Sequence, residues 1–238
     1  MKFLGLCRMW AVPFTLAGLG SSIFGVGLAE AAVTRQVTVV ELFTSQGCSS
    51  VPQANRNLAA LASRPDLLPL SFSVTYWDYL GWKDTFGSEE FTKRQRSYEA
   101  GLGHDAPFTP QIVVNGSADT VGRRMDEVES ILKKSSPAKA VAIDIEDDVV
   151  QVGKGSSPTS VADIWLVHYR PGVQKVSISA GENSGTTLPV ANVVTDVRLL
   201  SHWTGAGTSL KVPAQAPGVK TAVIVQVPNG QIISAATN

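Results

Sequence analysis

The 238-residue chain has few of the residues that announce most chemistries. It holds two cysteines, three histidines and twenty residues of each charge sign, so its formal net charge is zero. Without a basic surplus there is no electrostatic footprint for nucleic acid, and no block of like charge suggests an interaction tail. His104, His168 and His202 lie far apart with no ligand spacing, and the cysteines are too few for a thiolate cage, so no metal is expected. Gly153-Lys154-Gly155 lacks the flanking residues of a phosphate-cradling loop. No cofactor is therefore expected. Internal repeats and low-complexity runs are absent as well. The apolar content, 44%, is that of a globular protein able to bury a full core without disulfide staples.

Long hydrophobic runs are also missing. Near the N-terminus, Lys2 and Arg8 precede an apolar run from Met9 to Leu19, which Gly20-Ser21-Ser22 interrupts before it resumes from Ile23 to Leu28. Ala29-Glu30-Ala31 supplies the small residues that a signal peptidase needs. The reading is a signal peptide over 1–31, cleaved after Ala31, and a periplasmic or secreted product. An N-terminal anchor is the alternative. Pro13, the scattered glycines and the paired serines disfavour a spanning helix of about 20 apolar residues, so no stable membrane anchor is expected after processing. Cleavage would remove Cys7 and leave Cys48 as the only cysteine, unusual in an oxidising compartment.

Cys48 sits in the most informative stretch. Val37–Phe43 reads as a buried strand, Thr44-Ser45-Gln46-Gly47 as a polar loop, and Cys48 as the residue before a helix. Helix N-termini carry unpaired N–H groups and partial positive charge, which favour a thiolate. Ser50 and Gln53 fit a capping box, and Pro52 is tolerated in a first turn. The plainer reading is a small buried hydrophobe.

Further on, Ala54, Leu58, Leu61 and Ala62 recur at helical spacing, and Leu67–Tyr76 contains a second strand suited to parallel pairing through that helix. Tyr76-Trp77-Asp78-Tyr79-Leu80-Gly81-Trp82-Lys83-Asp84 follows, dense in aromatics that either line a groove or clamp a loop onto the core. Ser88 suits an N-cap for a helix to about Ala100, with Phe91 and Tyr98 on one face. The neighbours His104 and Asp105 read as a solvated turn. Phe108-Thr109-Pro110 leads into the strand Ile112–Val114. Asn115-Gly116 predicts a two-residue hairpin to a segment starting at Ser117, and Met125, Val128, Ile131 and Leu132 predict a closing helix. This order suggests an α/β thioredoxin-like domain over 32–134.

A linker is expected over 135–139, at Ser135-Ser136-Pro137, and a mostly-β, sandwich-like C-terminal domain over 140–238. Its strands are read at Ala140–Ile145, Val149–Val152, Ala162–Tyr169, Lys175–Ile178, Lys220–Val227 and Gln231–Ala235, with turns at Pro171-Gly172 and Asn229-Gly230. Periodicity leaves Asn192–Leu200 open between strand and helix.

Cys48 at a strand-to-helix junction and Thr109-Pro110 before a later strand together resemble the thioredoxin superfamily. Glu41–Ser50, Tyr76–Asp84 and Thr109-Pro110-Gln111 closely resemble the secreted thioredoxin-like family called domain of unknown function 1223. Gly181-Glu182-Asn183-Ser184-Gly185 and Asn192-Val193-Val194 resemble its C-terminal half. The resemblance implies a cis Thr109–Pro110 bond beside the thiol and a substrate site shaped by Thr109 and Pro110, to which the groove reading of the aromatic loop adds Trp77, Tyr79 and Trp82. One departure matters: where that family has Cys-Ser-Ser-Cys-Pro-Pro, this chain has Val51 for the second cysteine and Gln53 for the second proline. A dithiol oxidoreductase needs the second thiol to resolve its mixed disulfide.

Two functions follow. One is a monothiol redox protein with Cys48 as nucleophile, acting on protein or small-molecule disulfides with glutathione as a candidate partner. The other is a non-catalytic module that holds a peptide or an envelope protein.

Overall fold

Two strands that the sequence places correctly form the centre of the molecule. The computed structural model describes Met1 and residues 37–135, 141–146, 148–157 and 159–238. The leader read over 1–31 and the linker over 135–139 lie outside the described residues, Met1 and Ser135 excepted. Strand β1 (Thr38–Thr44) pairs in parallel with β2 (Leu67–Ser73) and antiparallel with β3 (Gln111–Val114). Along β1, Val39 and Phe43 pack into one hydrophobic cluster while Val40 and Leu42 pack into another on the opposite face. Strict alternation with both faces apolar is what a central strand covered on both sides requires.

The covers are helical. Helix α1 (Pro52–Leu61) and helix α4 (Met125–Lys134) place Ala54, Leu58, Val128 and Leu132 against Val40 and Leu42. On the other face, α2 (Glu89–Ser97) and the short α3 (Glu99–Leu102) bring Phe91 and Tyr98 onto Phe43 and Phe72. Ser88 caps α2 as expected, its hydroxyl accepting the Glu90 N–H at 3.3 Å. The capping box at Ser50 does not form. Val51 is the N-cap of α1 with no side-chain bond, and Gln53 turns instead to Arg56 and Asn57. Strand β4 (Ala118–Thr120) completes the hairpin through a three-residue turn, Asn115–Ser117, one longer than predicted.

The expected α/β thioredoxin-like domain followed by a sandwich-like C-terminal domain is not what the chain builds. Four later strands join the same sheet: β7 (Ala162–Ser177), β8 (Thr187–Trp203), β10 (Lys220–Gln226) and β11 (Ile232–Thr237). The result is one mixed eight-stranded sheet in the order β11-β10-β7-β8-β2-β1-β3-β4, and the described residues are mostly β, with 40% strand against 18% helix. The described residues from 37 to 238 form one compact unit.

The joint lies between β2 and β8, and side chains make it. Asn192 Nδ2 donates to the Pro69 carbonyl at 2.8 Å, and Ser71 Oγ donates to the Ala191 carbonyl at 2.6 Å. The two strands share one register pair, Ser71 with Val193. The segment left open between strand and helix is therefore strand. Pro171-Gly172, read as a turn, is an irregularity inside β7, where Gly172 at φ +81° donates its N–H to Asn192 Oδ1 at 2.9 Å. A second, three-stranded sheet of β5 (Ile143–Glu146), β6 (Val149–Val152) and β9 (Thr208–Lys211) shares a core with β7, β10 and β11. Among the described residues no helix is long and apolar enough to cross a membrane.

Candidate functional site

Four loops meet around Cys48. The first is its own, 45–51, which leaves the C-terminal end of β1 and turns through a Cys48 O to Val51 N–H bond before α1. Cys48 is buried, 8% exposed as a residue, and packs with Val51, Ile178 and Leu188, with Trp77, Trp82 and Val176 half-buried around it. Its Sγ donates to the Thr109 carbonyl over 3.8 Å. Ser49 and Ser50, beside it, are exposed.

The second loop is the aromatic one. Trp77 Nε1 donates to Thr109 Oγ1 at 2.8 Å, and Trp82 Nε1 to Gln46 Oε1 at 2.9 Å. Both rings thus act as clamps as well as walls. Gly47 suits that closeness, since a Cβ there would lie 3.1 Å from the Trp77 carbonyl and the aromatic loop would have to give by a few tenths of an ångström. Tyr79 behaves differently: it is 74% exposed, and its ring centre lies 6.0 Å from that of Trp77, one step out from the thiol. The third loop brings Thr109, joined to Pro110 by a cis bond. Of the residues singled out in the sequence, Thr109, Pro110, Trp77 and Trp82 converge on Cys48, and Tyr79 stands at the rim.

The fourth loop comes from the far half of the chain. Asn183 is buried, and its Nδ2 donates to the carbonyls of Gln46 and Cys48, each at 2.9 Å. Next to it, Glu182 Oε2 accepts the Ser49 N–H at 3.0 Å, and the Ser49 hydroxyl and N–H together hold the Glu182 carboxyl below its usual range. Gly181 and Gly81 let the two loops touch, with a Cβ at position 181 falling 3.1 Å from the Leu80 carbonyl. Sequence reasoning assigned no role to this loop. Its glycines, Asn183 and Ser184 are what any surface turn favours, so the available signal was the resemblance of Gly181–Gly185 to the family's C-terminal half.

Two polar systems support the thiol loop. Asp84 is buried; its Oδ2 accepts the Gln46 N–H at 2.7 Å and its Oδ1 the Phe86 N–H at 2.8 Å. Burial pushes its carboxyl up to about 6, against the pull of those N–H groups. Behind Thr109, a chain of hydrogen bonds runs from Tyr76 OH to Gln95 Oε1 (3.1 Å), from Gln95 Nε2 to Gln111 Oε1 (2.9 Å), and from Gln111 Nε2 to Asp119 Oδ2 (2.8 Å). His104 ends it: its Nε2 pairs with the same Asp119 oxygen at 2.8 Å, so its partner is Asp119 and not the adjacent Asp105. Burial raises the Tyr76 phenol, opposed by Gln95 and reinforced by Cys48. Among the described residues no group of three His, Cys, Asp or Glu side chains is arranged to hold a metal ion.

With this geometry in place, a family model described as protein of unknown function (DUF1223) matches residues 39–227. The chain belongs to that family. The match spans β1 to the end of β10, so the DUF1223 unit includes both the thiol loop and the Asn183 loop that clamps it. Among solved structures, a protein of Agrobacterium tumefaciens, AGR_C_4864, is similar at 29% identity with a TM-score of 0.69, over 85% of this chain and 94% of that one. HBP35 of Porphyromonas gingivalis shares the fold at 13% identity and a TM-score of 0.58, over 86% of this chain and 75% of that one. No curated protein matches the chain.

Proposed function

We propose that this DUF1223 protein is an exported single-thiol protein that exchanges disulfides at Cys48. The observation that carries the reading is the convergence of four loops on one sulfur, beyond a leader whose removal leaves no other cysteine. The leader motif over 1–31 supports export to the periplasm or outside the cell. In the exchange, the Cys48 thiolate attacks one sulfur of a substrate disulfide. A Cys48–substrate disulfide forms, and the other substrate sulfur leaves as a thiolate. Val51 occupies the position of a resolving thiol, so an external thiol such as glutathione must attack the mixed disulfide, carry the substrate away as a new disulfide and restore Cys48. Trp77 and the Thr109 carbonyl flank the sulfur, and the exposed Ser49-Ser50 side leaves room for the substrate.

The test uses a glutathionylated peptide and reduced glutathione with the mature protein. Mass spectrometry is expected to find a mixed disulfide on Cys48 that glutathione removes, with none on Cys48→Ser. An unmodified Cys48 in the folded protein overturns the reading. A second reading is supported by Val51, which is 0% exposed and fills the second-cysteine position with core. On that reading the site binds a peptide through Trp77, Tyr79 and Trp82 without covalent chemistry, and binding would survive Cys48→Ser.

A further inference from the structure

A second site lies on the other side of the molecule's polar interior, between α2 and strands β7, β8 and β10. Its floor is Arg94, 6% exposed, which no sequence motif singled out. Glu41 on β1 takes its Nε at 2.6 Å, and its Nη2 donates to Tyr98 OH at 3.0 Å and Gln226 Oε1 at 3.3 Å. Burial lowers its affinity for the proton, while Glu41 and Tyr98 more than restore it, so the guanidinium stays charged. The remaining nitrogen, Nη1, donates to no described residue. Among the described residues the fully buried side-chain atoms without a partner are Glu99 Oε1 and His168 Nε2, so Nη1 is not sealed in the interior and faces the cavity as an open, charge-assisted donor. Arg94 lines a cavity of about 270 Å³.

The rest of the cavity indicates the partner's chemistry. Trp165 forms an apolar wall with its ring centre 5.4 Å from Arg94 Cζ, and Val197 faces it from β8. Asn229, at the mouth, has a side chain that bonds to no described residue. Lys93 and Glu90 also reach the rim but pair with each other at 2.7 Å, so the charge facing the interior is that of Arg94. Glu41 balances that charge, so what draws an anion is the open Nη1 donor and not a net positive interior, and a single negative charge is the most that fits. The volume lies just below the usual range of ligand pockets, about 300–1,000 Å³, so only a small ligand fits.

We propose that this cavity binds a small carboxylate carried on an apolar body, its oxygens on Arg94 Nη1 and Asn229 and its body against Trp165 and Val197. The site shares no residue with the Cys48 loops and does not depend on the exchange reading.

Benzoate is the probe, and benzyl alcohol its uncharged control. The indole N–H resonance of Trp165, assigned with Trp165→Phe, is followed during titration of the full mature chain. Benzoate is expected to shift it saturably at millimolar concentration while benzyl alcohol does not. Val197→Trp fills the cavity without touching the Arg94–Glu41 pair and is expected to weaken benzoate about tenfold or more, the scale of losing a charge-assisted contact. Ser97→Phe, from the helix side, is the second filled variant and is expected to do the same. The proposal is overturned by the absence of a saturable shift, by equal binding of benzyl alcohol, or by unchanged benzoate affinity in folded Val197→Trp or Ser97→Phe.

Discussion

Asn183→Ala should destabilise the whole protein, although residue 183 lies 135 positions from the cysteine loop it holds. Two hydrogen bonds disappear, but their losses differ. The Cys48 carbonyl keeps the Val51 N–H at 3.3 Å, so it forfeits only the net value of a bond, about 1 kcal/mol. The Gln46 carbonyl has no second donor among the described residues and is left unsatisfied in a buried loop, at about 1–3 kcal/mol. Water reaching the loop lowers that figure, so a total of about 2–3 kcal/mol is expected. Because the sheet runs unbroken from β11 to β4, the loss should lower one cooperative transition and not detach one half. Urea unfolding followed by tryptophan fluorescence measures it. Ser184→Ala, which removes an exposed bond to Ser179, should change stability little. A loss below about 0.5 kcal/mol for Asn183→Ala, the level of an ordinary surface change, or two separate transitions in the parent, would refute the clamp.

Other outcomes follow from the buried polar groups and one glycine. Glu41→Gln strands the buried Arg94 charge and should cost about 3–5 kcal/mol in urea unfolding. Gly116→Ala forces a Cβ to within 2.1 Å of the Gly230 carbonyl at φ +63°, so a loss of about 2 kcal/mol or more and a lowered melting temperature are expected. Asp84 holds its proton more tightly when folded than when unfolded, so its contribution favours folding at low pH and fades as pH rises from 3.8 to about 6. Asp84→Asn should therefore flatten that stretch of the stability profile, whatever its offset. Parallel profiles for parent and variant across the window would contradict the assignment.

The parts of the fold that were legible in the sequence are local. Buried β1, the stripe of α1, the Ser88 cap and the stripe of α4 are each written in residues a few positions apart. What the sequence hid is long-range. Val39 and Phe43 announce a two-faced strand, but nothing in Asn192-Val193-Val194 says that it docks on Pro69 and Ser71. That docking turns two expected domains into one sheet. Ser50 and Gln53 had the spacing of a capping box, yet the tight Cys48–Val51 turn set the helix start one residue later. At the site, Cys48, Trp77, Trp82 and Thr109 were named from motif and position. Asn183 and Asp84 there, and the Glu41–Arg94 pair elsewhere, were missed because a buried polar side chain is recognisable only once its partners are in place.

The central claim rests on one sulfur. Its most direct test is the rate at which iodoacetamide alkylates Cys48 in the folded mature protein, compared with the rate in the same protein unfolded in urea at the same pH. The account predicts that Cys48 is alkylated in the folded protein, slowed by its burial but not shut off, as for a thiol reached from the exposed Ser49-Ser50 side. A folded-state rate lower by orders of magnitude would show a sealed structural cysteine and contradict it.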